Sequence, residues 1–145
     1  MTAISREVER AIEWDCTQLL TRFFNSFDDW RYADMVAMFA PDGVWHRADM
    51  ALKGSAIMEA LNARSPTQKV RHIVTNVVVE AESETSAQFT LYVTAYMHDS
   101  GELAKAPPKI RMPYLMLVVP GRLVRIGDQW KIASMSMNRE FEFEA

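Results

Sequence analysis

Ala87-Gln88-Phe89-Thr90-Leu91-Tyr92-Val93-Thr94-Ala95-Tyr96-Met97-His98 alternates side chains of two kinds along its whole length. Phe89, Leu91, Val93, Ala95 and Met97 fall on one side; Thr90, Tyr92, Thr94, Tyr96 and His98 fall on the other. A period of two is the mark of a strand with one face against a core. Upstream, residues 71–80 are β-branched and almost continuously apolar, the pattern of a strand covered on both faces. Glu82-Ser83-Glu84-Thr85 supplies the turn between the two. Downstream, a loop with Ser100-Gly101 and Pro107-Pro108 leads to a long strand near Pro113–Ile126. That strand is expected to break at Pro120-Gly121, because proline cannot donate to a ladder. Gly127-Asp128 then turns the chain into a last strand starting at Trp130.

The first half has the other period. Ser5 is placed to cap a helix whose first turn carries Glu7 and Glu9, the favoured sign at that end. Val8, Ile12, Cys16, Leu19 and Phe23 recur at helical spacing, and Leu20, Phe24 and Phe27 widen the stripe. Tyr32, Met35, Val36 and Phe39 mark a second, short helix, which Pro41-Asp42-Gly43 is expected to stop. Val44 and Trp45 suggest a short strand, and Lys53-Gly54 a turn. Ser55 to Arg64 reads as a third helix closed by Ser65-Pro66. Helices first and then antiparallel strands define an α+β domain spanning residues 1–145.

Apolar residues make up 49% and charged residues 24% of the chain, a globular composition. The net charge of −3, with Lys and Arg scattered, points away from nucleic acid and from anionic membrane surfaces. Apolar runs such as Leu115 to Val119 are too short for a bilayer, and the first residues have no secretion-signal pattern. A cytoplasmic protein is the simplest expectation. The lone Cys16 permits no internal disulfide, and no metal-ligand cluster or phosphate-cradling glycine loop is evident.

Polar residues set among apolar ones mark the candidate site, since burial without partners costs free energy. Asp28 falls four residues after Phe24 and prolongs one edge of the first helix's stripe. Asp28 and Asp29 are both also candidates to cap the helix near Arg31, Asp29 being the better placed. His72 and Asn76 share a face of their strand by the two-residue period. Two readings stand for them: side chains reaching into a cavity, or a carbonyl-bound His and an Asn that satisfies a bulge. Arg47 follows Trp45-His46, placed either to clamp an anionic or carbonyl group or to lie in solvent. Trp45 and Tyr114 are candidate pocket walls. Met35, Met38, Met58, Met97, Met112, Met116, Met135 and Met137 are either core filling or a pliable lining. If Asp28 meets a His, the carboxylate orients the imidazole and supports its charged form, the requirement for moving a proton beside a carbonyl.

The order of elements and three segments, Phe27–Tyr32, Phe39–Arg47 and Arg71–Asn76, resemble the SnoaL-like branch of the nuclear transport factor 2 superfamily over about residues 5–140. Residues 122–133, Arg-Leu-Val-Arg-Ile-Gly-Asp-Gln-Trp-Lys-Ile-Ala, are similar to that family's closing hairpin. The resemblance implies a cone-shaped barrel, with three N-terminal helices in the concave face of a strongly bent, mainly antiparallel sheet around a pocket. It further implies a cofactor-independent lyase or isomerase, similar to scytalone dehydratase or to SnoaL-type polyketide cyclases, acting on a small cyclic hydrophobic ligand. Asp28 and His72 match the family's acid–base pair. Phe27 stands where that enzyme has Tyr, and its second His falls near Met97, with His98 one residue away. Phe27, Trp45, Arg47, Asn76, Met97, His98 and Tyr114 are the expected pocket residues. The family also includes pocket proteins without catalysis and the small β subunits of ring-hydroxylating dioxygenases, and both remain alternatives. Apolar and aromatic residues on both strand faces, Val77, Val79, Tyr92 and Tyr96 among them, lead us to expect a homodimer through the sheets.

Overall fold

The computed structural model describes residues 3–144. Ser5 caps the first helix, α1 (Arg6–Asp28), its hydroxyl accepting from the Val8 N–H. Ile12, Cys16, Leu20, Phe23, Phe24 and Phe27 are all buried along α1, as the stripe requires. The helix closes with a Schellman motif: the Trp30 N–H reaches the Phe27 carbonyl and the Arg31 N–H reaches that of Ser26. Trp30 holds the left-handed position at φ 58°, where glycine is usual. This reversal leads into α2 (Tyr32–Ala37).

Six strands follow: β1 (Phe39–Arg47), β2 (Met50–Lys53), β3 (Lys69–Ala81), β4 (Ser86–His98), β5 (Leu115–Ile126) and β6 (Gln129–Glu142), with α3 (Ser55–Asn62) between β2 and β3. They form one curved sheet in the order β2-β1-β6-β5-β4-β3. Every pairing is antiparallel except that of β1 with β6. The outer strands β2 and β3 do not pair, so the sheet wraps around its helices without closing into a barrel. α1 lies across β3 on the covered face, where Phe89, Leu91, Val93, Val119, Leu123, Ile132 and Met135 complete the core.

Several sequence expectations change here. Pro41-Asp42-Gly43 does not end α2, which stops at Ala37; it lies inside β1. There the chain takes five residue steps from Phe39 to Val44 against two on β6, from Ile132 to Ser134, so Pro41 and Asp42 bulge into solvent. Gly43 is required at the close approach, since a Cβ would stand 2.7 Å from the Ile132 carbonyl oxygen. Pro120-Gly121 does not break β5, which pairs with β4 straight through both residues. Gly121 instead makes room for the Phe89 ring and the Ser134 carbonyl, both in the space a Cβ would fill. The continuous apolar run of β3 is covered on one face only: Ile73 and Val78 are 49% and 52% exposed. Among the described residues no helix is long and apolar enough to cross a membrane.

Asn76 belongs to a bulge, not to the cavity. The β3–β4 register shifts between Thr75 and Val78, and Asn76 takes up the extra residue at φ 54° with its side chain exposed. The inward set therefore changes phase, from Val70, His72 and Val74 to Val77 and Val79. Asn tolerates the left-handed region where a β-branched residue is strained. Asn76→Val is expected to lower stability by about 1–2 kcal/mol in urea denaturation, while Asn76→Gly stays within about 0.5 kcal/mol of the parent.

Candidate functional site

Asp28 is the last residue of α1, and the Schellman turn behind it aims its side chain at β3. One carboxylate oxygen accepts the His72 backbone N–H at 2.9 Å; the other lies 2.5 Å from His72 Nδ1. Both side chains are nearly buried, 7% exposed for Asp28 and 8% for His72. This two-point attachment fixes the imidazole's position and its tautomer. Nδ1 donates to the carboxylate, which leaves Nε2 as the nitrogen free to exchange a proton. The ring is held between Phe24 and Phe27, with centroids 5.3 and 4.8 Å away. Arg71 braces the junction from outside, donating to the Asp28 carbonyl and standing 3.6 Å from the Asp29 carboxylate. Asp29 thus serves an exposed ion cluster with Arg71 and Arg31, and α2 begins without any side-chain cap.

His72 faces a cavity of about 1130 Å³ between the sheet, β2 and α3. Phe27, Val70, Ala95, Met97, Leu117 and Met137 line its inner part; Arg47, Arg64, Gln68, Tyr114 and Arg139 add polar groups. Asp28 does not reach this wall. It stands behind His72, beside a separate hollow of about 410 Å³ that it shares with Asp29, Trp30 and Arg71.

The other expected residues sort by strand geometry. Met97 lines the cavity, while His98, one residue further, projects to the opposite face and is absent from its lining. Trp45 is no wall: it is fully buried behind Phe27, with ring centroids 5.7 Å apart. Its indole Nε1 is the one buried side-chain polar atom without a partner among the described residues. Alternation along β1 turns Arg47 inward and His46 outward. Of the eight methionines weighed as a lining, Met97 and Met137 meet the cavity, whereas Met35 and Met135 are fully buried core.

Sequence reasoning missed Arg64. It follows the C-cap of α3, where a cation reads as an ordinary complement to the helix dipole. Instead its guanidinium donates to the Tyr32 hydroxyl at 2.8 Å and to Gln68, and lies 4.3 Å over the Phe27 ring. Arg47 packs 4.6 Å over the Trp45 ring and 5.8 Å from Phe27. Burial, and then the neighbouring Arg64, push the Arg47 pKa below the usual guanidinium value. Burial beside Asp15 raises the Cys16 thiol to about 12, so it is held protonated within the core. Among the described residues no three His, Cys, Asp or Glu side chains gather in metal-binding geometry.

The chain belongs to the SnoaL-like domain family, whose model matches residues 9–136. Its fold is shared with several solved structures. A protein from Novosphingobium aromaticivorans assigned as a scytalone dehydratase is 17% identical, with 90% of this chain and 87% of that one covered at a TM-score of 0.72. ActVI-ORFA from Streptomyces coelicolor is 18% identical, with 87% and 95% covered at a TM-score of 0.70. A type 2 hexachlorocyclohexane dehydrochlorinase, LinA, is 13% identical, with 89% and 85% covered at a TM-score of 0.72. No curated protein sequence matches the chain.

The attachment of Asp28 to His72 carries a stability consequence. Asp28→Ala leaves a backbone N–H and the ring Nδ1–H without their acceptor in a nearly buried place. A loss of about 1–3 kcal/mol is expected by urea denaturation, with Asp28→Asn, which can retain one of the two bonds, losing less.

Proposed function

We propose that this protein is a cofactor-independent lyase or isomerase in which Asp28 and His72 act as one acid–base unit on a small cyclic substrate. The observation that carries the reading is the two-point hold of Asp28 on His72, with the free Nε2 on the cavity side. In this mechanism Nε2 removes a proton from the carbon beside a substrate carbonyl. The electron pair of that C–H bond passes into an enolate. Asp28 keeps the imidazole oriented and balances the positive charge that forms on it. For a β-hydroxy ketone, the enolate re-forms its carbonyl as the C–O bond at the β carbon breaks. The proton held on Nε2 leaves with the hydroxide as water. For an isomerisation, the same proton returns to another carbon of the enolate. The apolar inner part of the cavity, from Phe27 to Leu117, suits a ring and strengthens each polar contact by excluding water.

Kinetics on a cyclic β-hydroxy ketone test this directly. Asp28→Asn and His72→Ala are each expected to lower turnover by about 10²-fold or more, with unchanged far-ultraviolet dichroism. Equal turnover in Asp28→Asn and the parent ends the proposal. A ligand-binding protein without catalysis, the alternative reading, would show altered affinity in these variants and no turnover in the parent. The subunit reading gives the buried Asp28–His72 pair no task.

The outer face of the sheet supports a second proposal, a homodimer. Ile73, Val78 and Tyr92, the last 39% exposed, lie on that face of the adjacent strands β3 and β4. Contiguous exposed apolar surface is commonly covered by a second copy about a two-fold axis. Light scattering at micromolar concentration is expected to give twice the chain mass, and Ile73→Glu to give the single-chain mass. A monomeric parent would overturn it.

A further inference from the structure

Arg47 and Arg64 present two cations to one cavity with no anion between them. Neither has an ion-pair partner within 4.0 Å among the described residues, and Arg47 makes no side-chain hydrogen bond there. The carboxylates that also border the cavity, Asp49 and Glu59, are exposed at its rim and pair with neither arginine. Arg139, the third cavity arginine, already has Glu142 at 3.6 Å. Arg47 is half-buried, and its lowered pKa follows from desolvation and from Arg64. A desolvated guanidinium beside a like charge is costly unless something negative completes it.

The aromatic rings explain how the pair is held in this state. Trp45 and Phe27 lie under Arg47, and Phe27 and Tyr32 lie by Arg64, so the ring faces stabilise both cations while leaving N–H donors unused. Phe27 is also the ring against which His72 packs. The imidazole centre at 4.8 Å and the Arg64 guanidinium carbon at 4.3 Å from that ring are therefore no farther apart than the two distances together, about 9 Å. That upper limit lies within the reach of one small cyclic molecule that hydrogen-bonds at both ends.

We propose that Arg47 and Arg64 form a carboxylate subsite, so that the substrate of this cavity is a cyclic carboxylic acid in its anionic form. The inference rests on the acid–base reading for the word substrate, and it narrows that reading from a hydrophobic ring to a ring bearing one anionic group. The guanidinium fork of Arg47, with no bonds of its own, takes the carboxylate through paired N–H donors. Arg64, whose terminal nitrogens already donate to Tyr32 and Gln68, adds charge and is itself held in place by those two bonds. The apolar part of the ligand then lies toward Phe27 and His72.

Binding of benzoate and of its neutral counterpart benzamide, measured by calorimetry and by amide chemical shifts, tests the subsite without any need for turnover. The parent is expected to bind benzoate about tenfold or more tightly than benzamide, the scale of a charge-assisted pair. Arg47→Gln and Arg64→Gln should each reduce that preference, and the double variant should abolish it while benzamide affinity stays the same. Arg47→Lys, which keeps the charge, should restore part of the preference and so separates charge from packing. Asp28→Asn should leave the preference intact. Equal binding of the two probes, no binding of benzoate at millimolar concentration, or a preference that survives in the double variant would each overturn the subsite. A benzoate preference in a chain that turns over no β-hydroxy ketone, neutral or carboxylated, would sustain the subsite and defeat the acid–base reading. Turnover of neutral ketones without any benzoate preference would do the reverse.

Discussion

The bond between the Asp28 carboxylate and both nitrogens of His72 that face it ties the end of the first helix to the first half of an edge strand. Neither residue is affordable alone in so dry a place, and together they satisfy each other. The constraint propagates in both directions. Toward the helix, it demands that α1 end at a defined residue, which the Schellman turn through Trp30 secures despite the strained backbone there. Toward the sheet, it holds β3 against α1 although β3 has a strand neighbour on one side only.

Around this tie the aromatic side chains make a continuous support. Phe23 meets Phe24, Phe27, Phe39 and Trp45 edge to face, and Phe24 and Phe27 in turn grip the imidazole. Edge-to-face contacts fix ring orientation more tightly than aliphatic packing does. Phe27 in particular borders His72 on the one hand and the two arginines on the other. Phe27 carries no hydroxyl, and its plain ring face is suited to cations.

The open sheet has its own economy. Strand β1 joins β6 in parallel, the one exception to antiparallel pairing, because β1 enters from the helical half after α2 and not from a hairpin with β6. The bulge at Pro41-Asp42-Gly43 lets β1 begin at Phe39 in the core and still deliver Trp45 and Arg47 to the inner face. The bulge at Asn76 performs the corresponding adjustment on β3, keeping His72 inward near one end and Val79 inward near the other. Two irregularities therefore set the site as much as the regular strands do.

Much of this was legible in the chain itself. The period-two pattern of residues 87–98, the helical stripe from Val8 to Phe27, the Ser5 cap and the Gly127-Asp128 turn all appear in the structure, because each depends on neighbours a few residues apart. Asp28 and His72 stood out because a lone polar residue in an apolar segment needs a partner. What local pattern does not contain is phase across a bulge and proximity across the fold. Asn76 follows His72 by an even number of residues, yet the inserted residue carries it out of the cavity. Pro41-Asp42-Gly43 and Pro120-Gly121 look like stops, but neighbouring strands supply the bonds that let the sheet run past them. Arg64 reads as a solvated cation at a helix end until Phe27, Tyr32 and Gln68, distant in sequence, close around it. The sequence by itself determined most of the elements and which residues need partners; only the tertiary structure decided where strands run on and which partners they meet, because hydrogen bonds, ring contacts and unbalanced charge act through space and not along the chain.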